Sequence, residues 1–353
     1  MAERRTARAH AASAPEPVAA LERIAFLLER DQAPTYRVKA FRAAAVVIAE
    51  LGPEELRRRI EHHTLRDLKG IGPKTADVIE QARAGTVPAY LADLEARFGP
   101  LTQGGETLLA AQRGDCHMHS DWSDGGSPIR LMAETAHDLG HAWVVLTDHS
   151  PRLTVARGLT AERLHAQLDV VAELAAELAP FRLLTGIECD ILDDGSLDQD
   201  PELLARLDVV VASVHSKLRM DAPAMTRRLV TAVRNPLVDI LGHCTGRLIQ
   251  GKERPESTFD AEAVFAACAE SDTAVEINCR PERSDPPLRL LRQALAAGTL
   301  FAIDTDAHAP GQLDWQQYGC TRAEQCEVPQ DRIITTWEAS ALLARTHNHP
   351  QSE

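Results

Sequence analysis

Apolar residues near the start of the chain recur at three- and four-residue steps, the spacing of one face of an α-helix. The steps run from Ala20 to Leu28 and again from Phe41 to Leu51. No run typical of a β-strand interrupts residues 17 to 92. The pattern predicts a small all-α domain over residues 16 to 97, preceded by a disordered arm over residues 1 to 15.

After Gly114 the pattern changes to short apolar runs, many of them β-branched, separated by amphipathic helical stretches. This order is typical of β/α units with parallel strands. It predicts an α/β domain over residues 114 to 350, with the glycine-containing segment 98 to 113 as a linker. The predicted strands are Trp143 to Leu146, Arg182 to Ile187, Asp208 to Val214, Val238 to Leu241, Ala274 to Ile277 and Leu300 to Ile303.

Five of these six runs lead into a side chain of a type that binds metal ions. Because the loops after the strands of a β/α barrel open onto one face, these side chains are expected to meet there. In chain order the runs are followed by Asp148 with His149, Glu188, His215, His243, Asn278, and Asp306 with His308.

The run that opens the α/β domain contains His117 and His119, and Asp124 follows shortly after. Alternate residues of a strand share a face, so both imidazoles can reach one ion. Six of the 14 histidines lie at predicted strand starts or ends, and the others, in predicted helices or tails, are interpreted as solvated or structural. The six are His117, His119, His149, His215, His243 and His308.

Composition and charge indicate how many domains the chain forms, which compartment it occupies and what kind of ligand it attracts. A chain of 353 residues exceeds what one hydrophobic core usually serves, so two domains are expected. The sequence contains no run of about 18 apolar residues, so a membrane-spanning helix is not expected. Seven cysteines without a Cys-x-x-Cys pair indicate a reducing cytoplasm. The net charge is −14, but residues 1 to 100 hold 16 basic against 14 acidic residues. The remainder is therefore strongly acidic, which suits a protein that collects cations.

The α/β segment resembles the PHP (polymerase and histidinol phosphatase) family of metal-dependent phosphoesterases over residues 113 to 346. The resemblance is carried by the His-x-His pair, Thr147-Asp148-His149, Gly186-Ile187-Glu188, Ser213-Val214-His215-Ser216, Gly242-His243 and Asp304-Thr305-Asp306-Ala307-His308. It implies a distorted (β/α)7 TIM-like barrel with up to three divalent ions, two of them bridged by a carboxylate such as Glu188. The implied ligands are His117, His119, Asp124, His149, Glu188, His215, His243, Asp306 and His308.

Such a cluster fits phosphate ester hydrolysis. Bound cations offset the negative charge of the ester and make a bound water acidic, so hydroxide can attack phosphorus at neutral pH. Mixed imidazole and carboxylate ligands suit zinc, manganese or iron better than magnesium or calcium. Glu188, His215 and Arg280 are the expected catalytic residues. Lys217, Arg247 and Arg280 follow strand ends and are predicted to bind phosphate, although plain surface charge is an alternative for each.

A second resemblance lies in residues 65 to 76, which are similar to the hairpin of a helix-hairpin-helix. Such a hairpin binds DNA non-specifically, because backbone amides at its glycines and the start of the next helix face a phosphate. Gly70, Gly72 and Lys74 are therefore predicted DNA contacts, together with Lys39 in the basic start of an earlier helix. The alternative is a hairpin used only for packing or for protein contact.

The segment from about Glu22 to Asp93 also resembles the small N-terminal domain of family X DNA polymerases. The segment between Ala92 and Arg113 is too short to contain the nucleotidyl-transfer core of that family, which argues against polymerase activity. Val78 occupies the place of the lysine that relatives with lyase activity use. The domain is therefore expected to hold DNA rather than to perform chemistry.

Two functional hypotheses remain open. In the first, the protein is a DNA-repair phosphoesterase that acts on DNA ends as a 3′-5′ exonuclease, a 3′-phosphatase or an abasic-site phosphodiesterase. In the second, it is a small-molecule phosphatase of the histidinol-phosphatase type. A non-catalytic DNA-binding protein would be expected to have lost ligands, and this chain keeps them. The expected partners are DNA or small phosphate esters and no membrane, and the oligomeric state is left open.

Overall fold

The computed structural model describes residues 15 to 346. The chain divides into two compact units, with the boundary between Pro100 and Leu101. The arm predicted over residues 1 to 15 lies outside the described residues except for its last position, as do residues 347 to 350 of the predicted barrel domain. Among residues 15 to 346, no helix is both long and apolar enough to cross a membrane.

The first unit is all-helical, as its apolar spacing predicts. The apolar stripes of its two longest helices are buried and include Leu21, Ile24, Phe41 and Ile48. The segment before the predicted hairpin forms a short 3-10 turn, Leu65–Asp67. The helices are α1 (Pro17–Arg30), α2 (Thr35–Leu51), α3 (Pro53–Glu61), α4 (Pro73–Arg83) and α5 (Ala89–Glu95).

The second unit is built on a parallel sheet that runs in chain order from its first strand to its seventh. The first and last strands approach each other, since Met118 forms a parallel bridge with Ala307 and the His119 amide donates to the Ala307 carbonyl at 2.8 Å. The sheet is therefore a nearly closed barrel, as predicted. The strands are β1 (Gly114–Met118), β2 (Trp143–Leu146), β3 (Arg182–Asp190), β4 (Val209–Ser213), β5 (Ile240–Leu241), β6 (Ala274–Asn278) and β7 (Phe301–Asp304).

Helices connect the strands and cover the sheet. Val210 packs outward against Leu203, Leu204 and Leu207, whereas its neighbour Val211 belongs to a different cluster. The helices of this unit are α6 (Glu106–Ala111), α7 (Ile129–Asp138), α8 (Ala161–Glu177), α9 (Pro201–Leu204), α10 (Ala222–Val233), α11 (Ala261–Glu270), α12 (Leu288–Ala297), α13 (Gln316–Gln325) and α14 (Ala339–Thr346).

The barrel interior is filled by apolar side chains from all seven strands, which meet in one buried cluster. Each strand contributes at least one residue, Cys116 in the case of β1, because every second side chain of a strand points inward. The contributions include Val145, Leu184, Val211, Ile240, Ala274 and Ala302. This packing closes the interior below the strand ends and leaves polar side chains at the carboxyl end of the barrel.

Three parts of the sequence prediction differ from the structure by more than one residue. β3 continues to Asp190 because Glu188 and Cys189 pair with Val211 and Ala212 of β4, although an apolar run ends before them. β5 begins only at Ile240, since Val238 is held in a turn by the Asn235 carbonyl. The predicted linker, residues 98 to 113, contains the helix α6, and its Leu101 amide donates to Gln317 of α13 at 2.7 Å.

Candidate metal centre

Histidines and carboxylates from separate strands meet at the carboxyl end of the barrel. The imidazole of His119, at the end of β1, lies close to the rings of His149 and His308, with centroid separations of 4.4 and 4.1 Å. These residues follow β2 and β7, so they are distant in sequence. The structure brings all nine predicted ligands to this one region.

Glu188 is at the centre of the cluster and is 1% exposed. Its Oε1 atom lies 2.9 Å from His243 Nε2 and 3.1 Å from His215 Nε2. Its Oε2 atom lies 2.8 to 3.5 Å from nitrogens of three further imidazoles, His149, His117 and His119. One buried carboxylate thus faces five histidines, which is an arrangement suited to bridging cations.

Three overlapping groups have ligand atoms within 4.8 Å of one another, close enough to share an ion. Asp306 adjoins them through its Oδ1 atom, 3.4 Å from His119 Nε2. The groups are His119 with Asp124, His149 and His308; His117 with His119 and Glu188; and His149 with Glu188 and His215.

Several ligand-type nitrogen and oxygen atoms of the cluster are buried and lie close together, yet within the described residues they form no well-aligned hydrogen bond. They include both ring nitrogens of His119, the Nε2 atoms of His117 and His215, and Glu188 Oε2. Unsatisfied buried polar atoms are costly, so a set of them aimed at one region indicates a missing partner. Divalent ions fit this requirement, and the mixture of nitrogen and oxygen donors is typical of zinc, manganese and iron sites.

The histidines are oriented from behind by a carboxylate that the sequence analysis missed. Glu276, in the middle of β6, is fully buried, and its Oε1 atom lies 2.6 Å from His117 Nδ1. Its other oxygen accepts from the His243 backbone amide. A proton on His117 Nδ1 directed at Glu276 leaves the Nε2 lone pair free for an ion. The signal in the sequence was a single charged residue inside an otherwise apolar strand.

Asp190 has a similar role at the end of β3. Its Oδ1 atom lies 3.3 Å from His215 Nδ1 and accepts from the His215 backbone amide at 3.1 Å. The contact directs His215 Nε2 toward Glu188. Asp190 was missed because the predicted strand ended before it, so its side chain was not counted among the residues at the barrel mouth.

Electrostatics in the cluster favour the charged carboxylates. Burial alone would raise the pKa of Glu188, but His215, His117 and His149 outweigh it and hold that pKa well below its usual range. Burial opposes protonation of His149, yet Glu188 and Asp124 raise its pKa to about 10. Burial and the neighbouring histidines lower the pKa of His119 well below normal, which keeps its ring neutral. The cluster therefore attracts cations, and ions that bind His149 must displace its proton.

The cluster opens into a cleft of about 400 Å³. Leu153, Leu248 and Gln250 form part of its wall, and Arg280, Glu282 and Arg283 form another part. The metal-type residues in the lining are Asp124, His149, Glu188, His215, Asp306 and His308. The predicted arginine Arg280 is therefore at the cleft, and Arg283 is a second arginine that the sequence analysis did not single out.

The structure directs Lys217 and Arg247, two of the predicted phosphate contacts, away from the cleft. Lys217 is 61% exposed and forms an ion pair with Asp193. The Arg247 Nε atom donates to the Arg283 carbonyl at 3.0 Å. Neither residue lines the cleft, because acceptors from neighbouring loops bind both cationic groups.

The predicted hairpin lies between the 3-10 turn and α4. Gly70 adopts a left-handed conformation with a φ of 99°, and Gly72 precedes the first residue of α4. The Gly72 amide donates to Thr75 Oγ1 at 2.9 Å. Lys74 is exposed in the first turn of the helix, with its ammonium 5.1 Å from the centre of the Tyr90 ring.

The two other residues from the first-unit predictions have contrasting environments. Lys39, in α2, is exposed to solvent. Val78, in the position discussed for lyase activity, is 1% exposed and belongs to the helical core. An apolar side chain there cannot form a Schiff base.

Two family models match the chain. That of the helix-hairpin-helix domain matches residues 13–85. That of the PHP domain matches residues 115–280. The first match covers the helices around Gly70 and Gly72, and the second covers the barrel from β1 to just beyond β6.

Individual relatives and solved structures show further similarity. The chain is 43% identical over 217 residues to the DNA polymerase/3′-5′ exonuclease PolX of Bacillus subtilis (strain 168), and the match covers 62% of this chain and 38% of that protein. It is 26% identical over 233 residues to a probable phosphatase of Thermoanaerobacter sp. (strain X514), covering 63% of this chain and 89% of that protein. The histidinol phosphate phosphatase of Lactococcus lactis subsp. lactis Il1403, solved with Zn, L-histidinol and phosphate, is 19% identical with a TM-score of 0.42, covering 56% of this chain and 87% of that one.

Proposed function

Because this chain joins a helix-hairpin-helix domain to a PHP domain, we propose that it is a metal-dependent phosphoesterase that acts on DNA ends. The observation that carries the proposal is Glu188, a buried carboxylate within 3.5 Å of nitrogens from five histidines. Nothing in ordinary packing requires so many titratable groups in one place. The cysteines, all free and buried, fit a cytoplasmic location.

The nine residues would hold up to three divalent ions of zinc, manganese or iron. When bound, such ions neutralise a phosphate ester and supply a hydroxide nucleophile at neutral pH. The protein's own side chains then orient the residues that would hold the ions. Glu276 and Asp190 orient His117 and His215, and Glu188 carries the negative charge between the histidines. Arg280 fixes His308 and the Asp306 backbone from the side of the cleft.

DNA is favoured as the substrate because of the first unit. The hairpin presents Gly70 and the start of α4, with Lys74 exposed beside them, in the manner of a phosphate-binding turn. The Bacillus subtilis relative is named as a DNA polymerase and 3′-5′ exonuclease, and this chain spans 38% of its length. The expected reactions are 3′-5′ exonuclease, 3′-phosphatase or abasic-site phosphodiesterase activity in DNA repair.

A small-molecule phosphatase is the second candidate. It is supported by the Thermoanaerobacter relative, which is named a probable phosphatase and is matched over 89% of its length. The strong negative charge outside the first unit also disfavours a long polyanion. In this case the helical unit would serve packing or association rather than DNA binding.

Metal removal tests the proposed chemistry. The protein, purified and supplied with manganese or zinc, is expected to shorten or dephosphorylate oligonucleotides with 3′-hydroxyl, 3′-phosphate or abasic ends, and small monoesters form a parallel panel. Chelation should reduce the rate to background, and added metal should restore it, because the ions supply the nucleophile. Gel electrophoresis measures the rate of oligonucleotide shortening, and a phosphate assay measures the rate of phosphate release. No metal-dependent cleavage of any substrate in either panel would contradict the proposal.

A charge reversal in the hairpin separates the two candidates. Lys74→Glu is expected to weaken DNA binding about tenfold and to lower the salt dependence of binding, since it replaces a phosphate contact with repulsion. Arg83→Glu, at the exposed far end of the same helix, is the matched control and should have little effect. Fluorescence anisotropy over a salt series measures both. Equal affinities for all three proteins, with monoester hydrolysis intact, would favour the small-molecule phosphatase.

A further inference from the structure

The cleft wall contains two arginines, and their surroundings differ. The Arg280 guanidinium is occupied, because its Nε donates to Glu282 at 2.8 Å and its Nη1 donates to the Asp306 carbonyl at 2.9 Å. The same Nη1 atom lies 2.8 Å from His308 Nδ1. A group held on three sides has little freedom to bind a substrate.

Arg283 is different. Its side chain is 17% exposed, and its nearest carboxylate is Asp306, with Nε 3.3 Å from Asp306 Oδ2. The Nε atom is buried and forms no hydrogen bond within the described residues. Arg283 thus lies at the wall of the cleft with one ion pair, to a residue proposed to hold metal, and with no side-chain hydrogen bond within the described residues.

The backbone around Arg283 is fixed by other loops. Arg247 donates to the Arg283 carbonyl at 3.0 Å and also to the carbonyl of Ser284. The Ile249 amide donates to the Glu282 carbonyl at 2.7 Å. Arg247, predicted from sequence to bind phosphate, therefore anchors the loop that presents Arg283. A side chain on an anchored loop loses less entropy when it binds a ligand than one on a loose loop.

We propose that Arg283 binds the substrate phosphate and makes the cleft select a doubly charged phosphate monoester over a singly charged diester. The inference rests on the proposed function and narrows its substrate class to terminal phosphates. A monoester has three terminal oxygens and two charges, whereas a diester has two such oxygens and one charge. A partly buried guanidinium favours the more highly charged ligand, and its planar fork can contact two oxygens at once.

Phosphate binding tests the inference without relying on turnover. The metal-loaded full-length protein is titrated by calorimetry with inorganic phosphate at about pH 8, where the dianion prevails, and with dimethyl phosphate as the singly charged probe. Arg283→Gln is expected to weaken phosphate binding about 10- to 100-fold and dimethyl phosphate binding several-fold less. Arg283→Lys should fall between, because it keeps the charge and loses the fork.

The control is Arg130→Gln on α7, which removes an exposed arginine paired with Glu177. It should bind both probes as the unaltered protein does. Metal content is measured on every variant by elemental analysis, and folding by circular dichroism. Because the lysine variant keeps the cation, it provides the comparison if Arg283→Gln does not fold.

Three outcomes would overturn the inference. Unchanged phosphate affinity in Arg283→Gln would show that Arg283 does not contact the ligand. An equal loss for phosphate and dimethyl phosphate would remove the preference for two charges. Loss of metal together with phosphate would mean that Arg283 acts through Asp306. Phosphate binding that depends on Arg283 without hydrolysis of any ester would instead uphold the inference and reject the proposed function.

Arg283 should contribute to the binding of a phosphate monoester whether the phosphate belongs to a DNA end or to a small molecule. A 3′-phosphate on DNA and a small phosphate monoester present the same three oxygens to Arg283. The hairpin variant Lys74→Glu distinguishes the sources, since it should weaken only the DNA ligand. Loss of both ligands on changing Arg283, with loss of the oligonucleotide alone on changing Lys74, would identify a phosphorylated DNA end.

Discussion

Replacement of Glu188 by glutamine is expected to lower metal-dependent hydrolysis by about 1,000-fold or more. The amide keeps the size of the side chain but removes the negative charge that faces five imidazole nitrogens at 2.8 to 3.5 Å. Without that charge, cations held among the surrounding neutral imidazoles would lose their central ligand. The measurement is the initial rate of 3′-end cleavage or phosphate release, together with metal content by elemental analysis.

The matched control for this variant is Glu173→Gln, an identical change at an exposed position of α8. It should retain both the rate and the metal content, because a solvated surface carboxylate contributes little to either. A Glu188→Gln protein that binds the normal complement of metal and turns over at the normal rate would remove the basis for the proposed site.

Arg228→Met is expected to destabilise the barrel by roughly 3 kcal/mol, which corresponds to a fall in melting temperature of about 6–12 °C. The Arg228 side chain is 1% exposed, and its guanidinium donates to the carbonyls of Leu192 and Ser216 at 2.8 and 2.9 Å. It also donates to the Ile191 carbonyl. Methionine fills much of the space but removes all three of these hydrogen bonds, and differential scanning calorimetry measures the change.

The adjacent residue offers a close control for Arg228→Met. Arg227 is exposed on the same helix, α10, so Arg227→Met should leave the melting temperature nearly unchanged. The bonded carbonyls lie just after Asp190, the last residue of β3, and just after His215, which follows β4. A loss of metal affinity in Arg228→Met alone would follow from this position. Equal melting temperatures for the two variants would contradict the structural role of Arg228.

Much of the fold could be predicted from the sequence, because helix and strand periodicity are local properties of the chain. The apolar stripes around Ile24 and Ile48 marked the helices of the first unit, and the spacing of apolar runs marked β/α units in the second. The exceptions depended on distant partners. β3 extends through Glu188 because β4 pairs with it, and α6 lies in a segment whose neighbour, α13, comes about 200 residues later.

The candidate ligands were also visible in the sequence, since histidines and carboxylates followed the strands whose ends share one face of a barrel. Glu276 was not predicted, because it lies within β6 rather than after it and contacts the site only through the His117 ring. Lys217 and Arg247 were assigned to phosphate because they follow strand ends. Long cationic side chains adapt to whichever acceptors lie nearby, and position in the sequence does not reveal those acceptors.

The amino-acid order by itself determined the two-part architecture, the succession of elements and the residue types delivered to the barrel mouth. The tertiary structure decided which atoms meet there: five imidazoles around Glu188, two hidden carboxylates behind them, and Arg283 rather than Lys217 or Arg247 at the cleft. The reason is that periodicity acts over a few residues, whereas the direction of a buried polar side chain is set by partners that folding brings from elsewhere in the chain.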